Sequence, residues 1–306
     1  MTVAEKQRTS RPAPPGARRG RRGTGPPWWF ALPALVLFAF VVLVPSGRGV
    51  YYALTDWDGL SPDWAFVGLD NFIAMLDDPT ALQAIWHTLL IAIAITVIQN
   101  GCGLLLALGV NSLIKSRNVL RVFLFAPAVV TPIVTAYLWR NLLGPDGAVN
   151  SLLAAVGLGS WQQDWLGDPQ LALISVIAIH TWQWTPFAFL VLLATLSTLP
   201  PDVYEAARLD RAGAWQRFFH LTLPLIRPAV VMVVILRTMT ALSAFAAIFA
   251  ATGGGPGSAT EILNLYAYRT SFSELNLGYG AALAIVLMSI TLVISYFMFR
   301  LRRRRA

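Results

Sequence analysis

The chain has 306 residues, 23 Lys and Arg against 15 Asp and Glu, and a net charge of +8. Hydrophobic residues make up 56% and charged residues only 12%; a soluble domain carries about 25% charged residues, so there is too little charge here to coat a water-facing surface. Disorder over most of the chain is excluded, as is a disulfide scaffold, because Cys102 is the single cysteine.

In chain order, residues 1–27 are rich in Pro, Gly and Arg and read as a disordered basic tail. Six apolar segments follow, at 28–44, 85–110, 119–143, 171–196, 225–251 and 281–299. Each approaches or exceeds the roughly 20 residues needed to cross a bilayer as a helix. They are apolar all round and lack the alternation of a membrane β-barrel. The expected fold is an all-α integral membrane protein with six transmembrane helices. The first segment, with Trp28 and Trp29 at its interfacial end, is expected to be an uncleaved anchor, since Pro45-Ser46-Gly47 is a poor cleavage site.

Charge sets the orientation. Nineteen of the 23 Lys and Arg fall in the N-terminal tail, the loops near 115 and 208–227, and the basic end at 301–306 with Arg300 before it. Arg48, Arg140 and Arg269 lie on the other side, and Arg237 falls within a span. Positive charge stays inside, so both termini are expected in the cytoplasm. The asymmetry accounts for the basic charge as a topology signal and a contact to anionic lipid, and no nucleic-acid partner is expected.

The stretch 199–228 reads as a helix–turn–helix between the fourth and fifth spans. Pro200 and Pro201 suit a helix start, with Asp202 as a nearby cap. Val203, Ala206, Ala207 and Leu209 give the first helix small and apolar side chains. Ala212-Gly213 is expected to break it through the freedom of Gly. Trp215, Phe218, Phe219 and Leu221 follow at near-helical spacing. Spacing alone suits either a lipid-interface helix or a partner protein.

Glu205-Ala206-Ala207, Asp210 and Leu221-x-Leu223-Pro224 resemble the EAA loop of binding-protein-dependent ABC importer permeases. In that family EAA is followed by three residues, Gly, nine residues and Ile-x-Leu-Pro. The family glycine falls here on Arg211 and the isoleucine on Leu221, so Gly213 is expected to supply the turn. Four further stretches resemble the carbohydrate-type permeases: Gly68-Leu69-Asp70-Asn71-Phe72, Gly147-Ala148-Val149-Asn150, Thr252-Gly253-Gly254-Gly255-Pro256 with Thr260, and Gly278-Tyr279-Gly280-Ala281-Ala282. The resemblance implies a type I importer permease core over 28–300 in a bacterial plasma membrane. It implies a second, different permease, two ATP-binding subunits that use ATP-Mg, an extracytoplasmic solute-binding protein, and a sugar or related polyol as solute. It also implies that Glu205, Ala206, Ala207, Asp210, Gly213, Leu223 and Pro224 form the segment that docks on the ATPase, with Glu205 as the polar contact and the alanines allowing close approach.

The residues themselves offer no energy site. A Walker A loop ends in Gly-Lys-Ser/Thr, and the only lysines are Lys6 and Lys115, after Glu5 and Ile114. His87, His180 and His220 have no metal-ligand spacing. The chain is therefore expected to be a transport subunit, not an enzyme, binding no cofactor or metal of its own. A self-sufficient secondary transporter would need intramembrane acids, and all 15 acids fall outside the six spans. A membrane enzyme would need a catalytic constellation, and none is visible. Polar residues at membrane depth are pathway candidates: Gln183 and Trp184 near His180 in the fourth span, and Arg237 and Thr240 sharing a face with Ala241 and Ala244 in the fifth. Related sugar permeases bind substrate in this region. Each of these residues also suits interhelical packing, and Gln99 and Asn100 suit packing or water contacts. Arg237 is compatible with an anionic solute and equally with a backbone carbonyl.

Overall fold

A computed structural model describes residues 28–111 and 117–303. The basic tail before residue 28, Lys115 and the last three residues lie outside the described residues. The regular secondary structure of the described residues is helical, apart from one isolated bridge between Thr55 and Phe66. The chain divides between Gly47 and Arg48 into two units, each described by itself.

The first unit contributes most of an apolar helix, α1 (Trp29–Tyr52). It carries a π-helical segment, Ala39–Leu43, ending two residues before Pro45. Proline removes a ladder N–H and crowds the carbonyl four residues back; the widened turn accommodates both effects.

In the second unit α2 (Asp70–Asp77) leads into the long α3 (Pro79–Asn111). Then come α4 (Arg117–Val129), α5 (Pro132–Leu142), α6 (Ala148–Ala155) and α7 (Pro169–Leu196). A short α8 (Pro201–Leu209) precedes α9 (Ala214–Leu242). Last are α10 (Ala246–Ala251), α11 (Leu263–Phe272) and α12 (Leu277–Arg303). Among the described residues, five helices are long and apolar enough to cross a membrane, or six if the bent pair α4–α5 is one span.

Two expected spans are broken. The segment read as 119–143 is two helices meeting at 98°. Thr131 precedes a proline and is held extended at φ −66, ψ 148, as proline imposes on its predecessor. The segment read as 225–251 starts at Ala214, ends at Leu242, and resumes as α10. Its last turn is rich in hydroxyls that bond back to the helix: Thr238 Oγ1 donates to Val234 O at 2.9 Å and Thr240 Oγ1 to Arg237 O at 3.0 Å. Such back-bonding weakens the ladder, and Ser243 caps the end at φ −98, ψ 11.

The packing centre is the crossing of α3 and α7. A Cβ on Gly103 would sit 2.7 Å from the Ala188 Cβ and 3.0 Å from the Phe189 backbone nitrogen, so only glycine lets the two helices approach this closely. Ala107, Val110, Phe189, Leu192, Ile226 and Val233 fill the core between α3, α7 and α9. Ile91, Ile95, Val176, Leu242 and Ile248 fill a second cluster nearer α10.

The glycine- and asparagine-containing stretches of the connections are staples. Asn71 Nδ2 donates to Ala53 O and Thr55 O at 2.9 and 2.8 Å. Asn150 Nδ2 donates to Pro145 O and Gln163 O, while its Oδ1 accepts from Trp165 Nε1 at 2.9 Å. Thr260 Oγ1 donates to Gly255 O at 2.9 Å and lies 2.7 Å from Thr252 Oγ1. Single side chains thus satisfy backbone groups that no helix ladder reaches.

Candidate functional site

The pathway candidates are held by α7 and α9. α7 starts on Asp168, whose Oδ1 accepts from Gln170 N and Leu171 N at 2.9 Å each, a side-chain cap just ahead of Pro169. His180, Trp184 and Phe187 then fall at i, i+4 and i+7, one face of the helix. Opposite them, α9 presents Arg237, whose guanidinium carbon lies 4.4 Å from the Phe187 ring centroid and 5.4 Å from that of Trp184. These are cation–π distances. Arg237 is 5% exposed and its guanidinium has no hydrogen bond or ion pair among the described residues; its Nε is a buried donor without an acceptor.

Arg237, Trp184, Thr240 and His180 line one cavity of about 290 Å³. Ser243, Ala244 and Phe245 from the break after α9, and Pro132 at the start of α5, complete its wall. Both broken spans therefore open onto the same space. Of the four candidates, the structure brings Trp184, Arg237 and Thr240 together at this cavity. Gln183 is fully buried and points elsewhere: its Nε2 donates to Val130 O at 2.7 Å. Val130 lies in the α4–α5 bend, where its carbonyl has lost its helical partner, so Gln183 secures the bend. Ala241, on the shared face, is buried in the α3–α7–α10 packing.

Behind the cavity wall, Gln99 Nε2 lies 3.0 Å from His180 Nδ1 and donates to His180 O at 3.1 Å. An amide nitrogen only donates, so in this arrangement Nδ1 is the acceptor. Asn100 Nδ2 donates to Thr96 O within α3. Phe187 and the Gln99–His180 pair escape a reading of single polar residues; the i, i+4, i+7 spacing on α7 is the signal that finds the aromatic face.

At the far end of α9, the loop helix α8 ends differently from expectation. Arg211 N donates to Arg208 O and Ala212 N to Ala207 O, both at 3.0 Å, with Arg211 at φ 55. That is the Schellman arrangement, with Arg211 as the left-handed residue. Gly213 sits at φ −65, ψ 166 and begins α9, its N–H bonded to Gln216 Oε1 at 2.9 Å. The turn is thus made by Arg211, at the family's glycine position, and not by Gly213. Asp202 makes no cap; Pro200 holds the N-cap position, and Asp202 lies in the first turn where the helix dipole favours it. Tyr204 Oη, 3.1 Å from Thr222 Oγ1, ties α8 to α9. Glu205, Ala206 and Asp210 are exposed and Ala207 is half-buried. Leu209 and Trp215 are 85% and 75% exposed, an apolar surface that nothing in the second unit covers. Leu223 is half-buried and Pro224 exposed, directly after a second π-helical segment, Phe218–Thr222.

A charged pair outside the spans was not legible as a site. Glu261 is fully buried and accepts from Arg269 Nη1 at 2.9 Å. Burial pushes the Glu261 carboxyl above the ordinary value of 4.5, against the pull of Arg269. Asp78 accepts from the Tyr266 and Tyr279 hydroxyls at 2.6 and 2.7 Å. Burial works to raise its carboxyl too, but these bonds and the Thr80 and Ala81 N–H groups outweigh it and hold Asp78 below the ordinary range.

Residues 99–306 match the family described as binding-protein-dependent transport system inner membrane component. The probable ABC transporter permease protein YurN of Bacillus subtilis is 35% identical over 272 residues, covering 88% of this chain and 93% of that protein. The trehalose/maltose transport system permease protein MalF of Thermococcus litoralis is 33% identical over 271 residues, 87% of this chain and 88% of that one. The sulfoquinovosyl glycerol transport system permease protein SmoG of Agrobacterium fabrum is 33% identical over 277 residues, 89% of each. In fold, the chain superposes on one chain of the crystal structure of a bacterial ABC transporter involved in the import of the acidic polysaccharide alginate. The TM-score is 0.79 at 24% identity, over 90% of this chain and 94% of that one. Several apolar helices of spanning length, one fold and one family match agree: this chain is a multi-pass membrane protein and belongs to the binding-protein-dependent transport system inner membrane components.

Proposed function

We propose that the chain is the translocation-pathway subunit of an ATP-driven importer for a saccharide or related polyol in a bacterial plasma membrane. It has six spans, counting α4–α5 as one, with both termini in the cytoplasm. It pairs with a second, different permease and works with two ATP-binding subunits, which use ATP-Mg, and an external solute-binding protein. Relatives named for trehalose and maltose and for sulfoquinovosyl glycerol support the solute class. So does the cavity, whose aromatic faces and hydroxyls suit sugar rings and their OH groups.

The observation that carries the reading is the continuity of α9. One helical run, Ala214–Leu242, leaves the exposed α8 turn and carries Arg237 and Thr240 to the cavity. From Ala214 to Arg237 is about 35 Å at 1.5 Å per residue. Glu205 and its neighbouring alanines dock on the ATP-binding subunit, and closure of the ATP-binding pair displaces α8. The rigid rod passes that displacement to the cavity wall, in the manner of shear and hinge transitions. Leu223 and Pro224 place the π-helical turn where the rod enters the bundle.

The test is mild-detergent purification of the tagged chain from its native membrane, with mass spectrometry of what accompanies it. A second permease and an ATP-binding protein in near-stoichiometric amounts are expected. The chain isolated alone, under conditions that preserve comparable complexes, overturns the reading. Glu205→Lys is expected to leave the protein in the membrane while the co-purified ATP-binding subunit falls at least severalfold; unchanged recovery removes Glu205 from the docking surface.

A further inference from the structure

The cavity between α7 and α9 holds a charge without a counter-charge. Among the described residues, Arg237 is its only charged lining residue, is 5% exposed, and its guanidinium donates to nothing. A guanidinium has five N–H donors in one plane. The rings of Phe187 and Trp184 lie 4.4 and 5.4 Å from its central carbon, and aromatic rings accept no full hydrogen bond in place of the missing acceptors. An unpaired cation at membrane depth is costly and is retained where something pairs with it.

Backbone dipoles at the cavity do not supply the missing charge. α5 begins at Pro132 on the cavity wall, so its positive end faces this space. α9 ends at Leu242–Ser243 on the same wall, with its negative end there. Each end is worth about half an elementary charge, so the two offset and leave the full charge of Arg237. The other polar groups do not neutralise it either. Thr240 Oγ1 is turned back to Leu236 O and Arg237 O, and His180 Nδ1 is taken by Gln99. No Asp or Glu among the described residues lines the cavity.

We propose that this cavity selects a saccharide bearing one anionic group, a carboxylate or a sulfonate, and that Arg237 is its charge partner. The proposal rests on the pathway reading above and adds the charge of the solute to it. The planar fork receives the two oxygens of the anion side by side. Trp184 and Phe245 offer apolar faces to the ring, and Ser243 contributes a hydroxyl at the α9 break. A volume of about 290 Å³ is near the lower end of small-molecule sites, about 300–1,000 Å³, so a ring and its anionic group fill it.

The test is equilibrium dialysis on the detergent-purified complex without its external binding protein, so that this site alone is read. The probes are glucuronate and glucose, which differ only in carboxylate against hydroxymethyl. Glucuronate is expected to bind about ten- to a hundredfold more tightly, the range for a hydrogen-bonded charge pair. Arg237→Gln is expected to abolish the preference, and Arg237→Lys, which keeps the charge and loses the fork, to retain part of it. The neutral methyl ester of glucuronate requires no variant to fold and is expected to bind like glucose. Equal binding of glucuronate and glucose by the wild type, full retention of the preference in Arg237→Gln, or an ester as tight as the acid each overturns the charge assignment and leaves the saccharide pathway standing. Binding of none of the three probes overturns the saccharide reading itself and the charge proposal with it.

Discussion

Arg211 shows how one residue holds a conformation that its type disfavours. At φ 55 its Cβ crowds the following carbonyl, at a cost of about 1–2 kcal/mol. The two Schellman hydrogen bonds and the Tyr204–Thr222 tie hold it there. Arg211→Gly is therefore expected to raise the thermal midpoint of the purified complex or leave it unchanged, and Arg211→Val to lower it; a lowered midpoint for the glycine variant contradicts this account. Arg269 behaves differently. Its removal leaves the fully buried Glu261 without its ion-pair partner. Breaking a buried pair costs about 3–5 kcal/mol, and because Arg269 is 37% exposed the expected loss for Arg269→Met is nearer 2–3 kcal/mol. The sign with pH follows from Glu261, whose carboxyl lies above its ordinary 4.5 in the folded protein. As pH falls through that raised range the folded state takes up the proton first and the unpaired charge vanishes. The deficit of Arg269→Met, read from unfolding midpoints, should thus be largest near neutrality and shrink toward pH 5.

Among the elements, proline has two outcomes in this chain. Pro186 and Pro228 sit inside α7 and α9 without breaking them, whereas Thr131-Pro132 turns the chain by 98°. Local chemistry is the same in each case: a missing N–H and a crowded carbonyl. The difference is tertiary, since Gln183 on α7 satisfies the Val130 carbonyl that the bend exposes. Hydropathy sums side-chain transfer over a window and carries no information about where such a carbonyl finds a donor. Hence the apolar stretches were legible and the two breaks, which build the cavity, were not. The α3–α7 crossing gives a sharper expectation. Gly103→Val places methyl groups against Ala188 and the Phe189 backbone and should destabilise the protein by about 1–3 kcal/mol, seen as a lowered midpoint with α3 and α7 forced apart; Gly101→Ala, with open space around it, is the control expected to change little.

Across the whole molecule, orientation rests on the distribution of basic residues. With Cys102 replaced by Ser, a membrane-impermeant maleimide applied to intact cells should label Asp63→Cys in the connection before α2. It should reach Arg208→Cys on α8 only after permeabilisation. The reverse pattern inverts the topology and removes α8 from the ATP-binding side. The same experiment bears on transmission, since α9 joins α8 to the Arg237 cavity only if they lie at opposite ends of one rod.

Composition and residue order alone determined the membrane class, the approximate position of each apolar stretch and the family, because transfer free energy and short spaced motifs are properties of consecutive residues. Tertiary structure alone decided that Gln183 secures a bend while its neighbour Trp184 faces the cavity, and that Arg211 makes the loop turn. It alone set Arg237 beside two aromatic rings with no acid among the described residues lining its cavity. Those outcomes depend on which groups from distant helices satisfy, crowd or leave unpaired a given atom, and a linear sequence does not contain those distances.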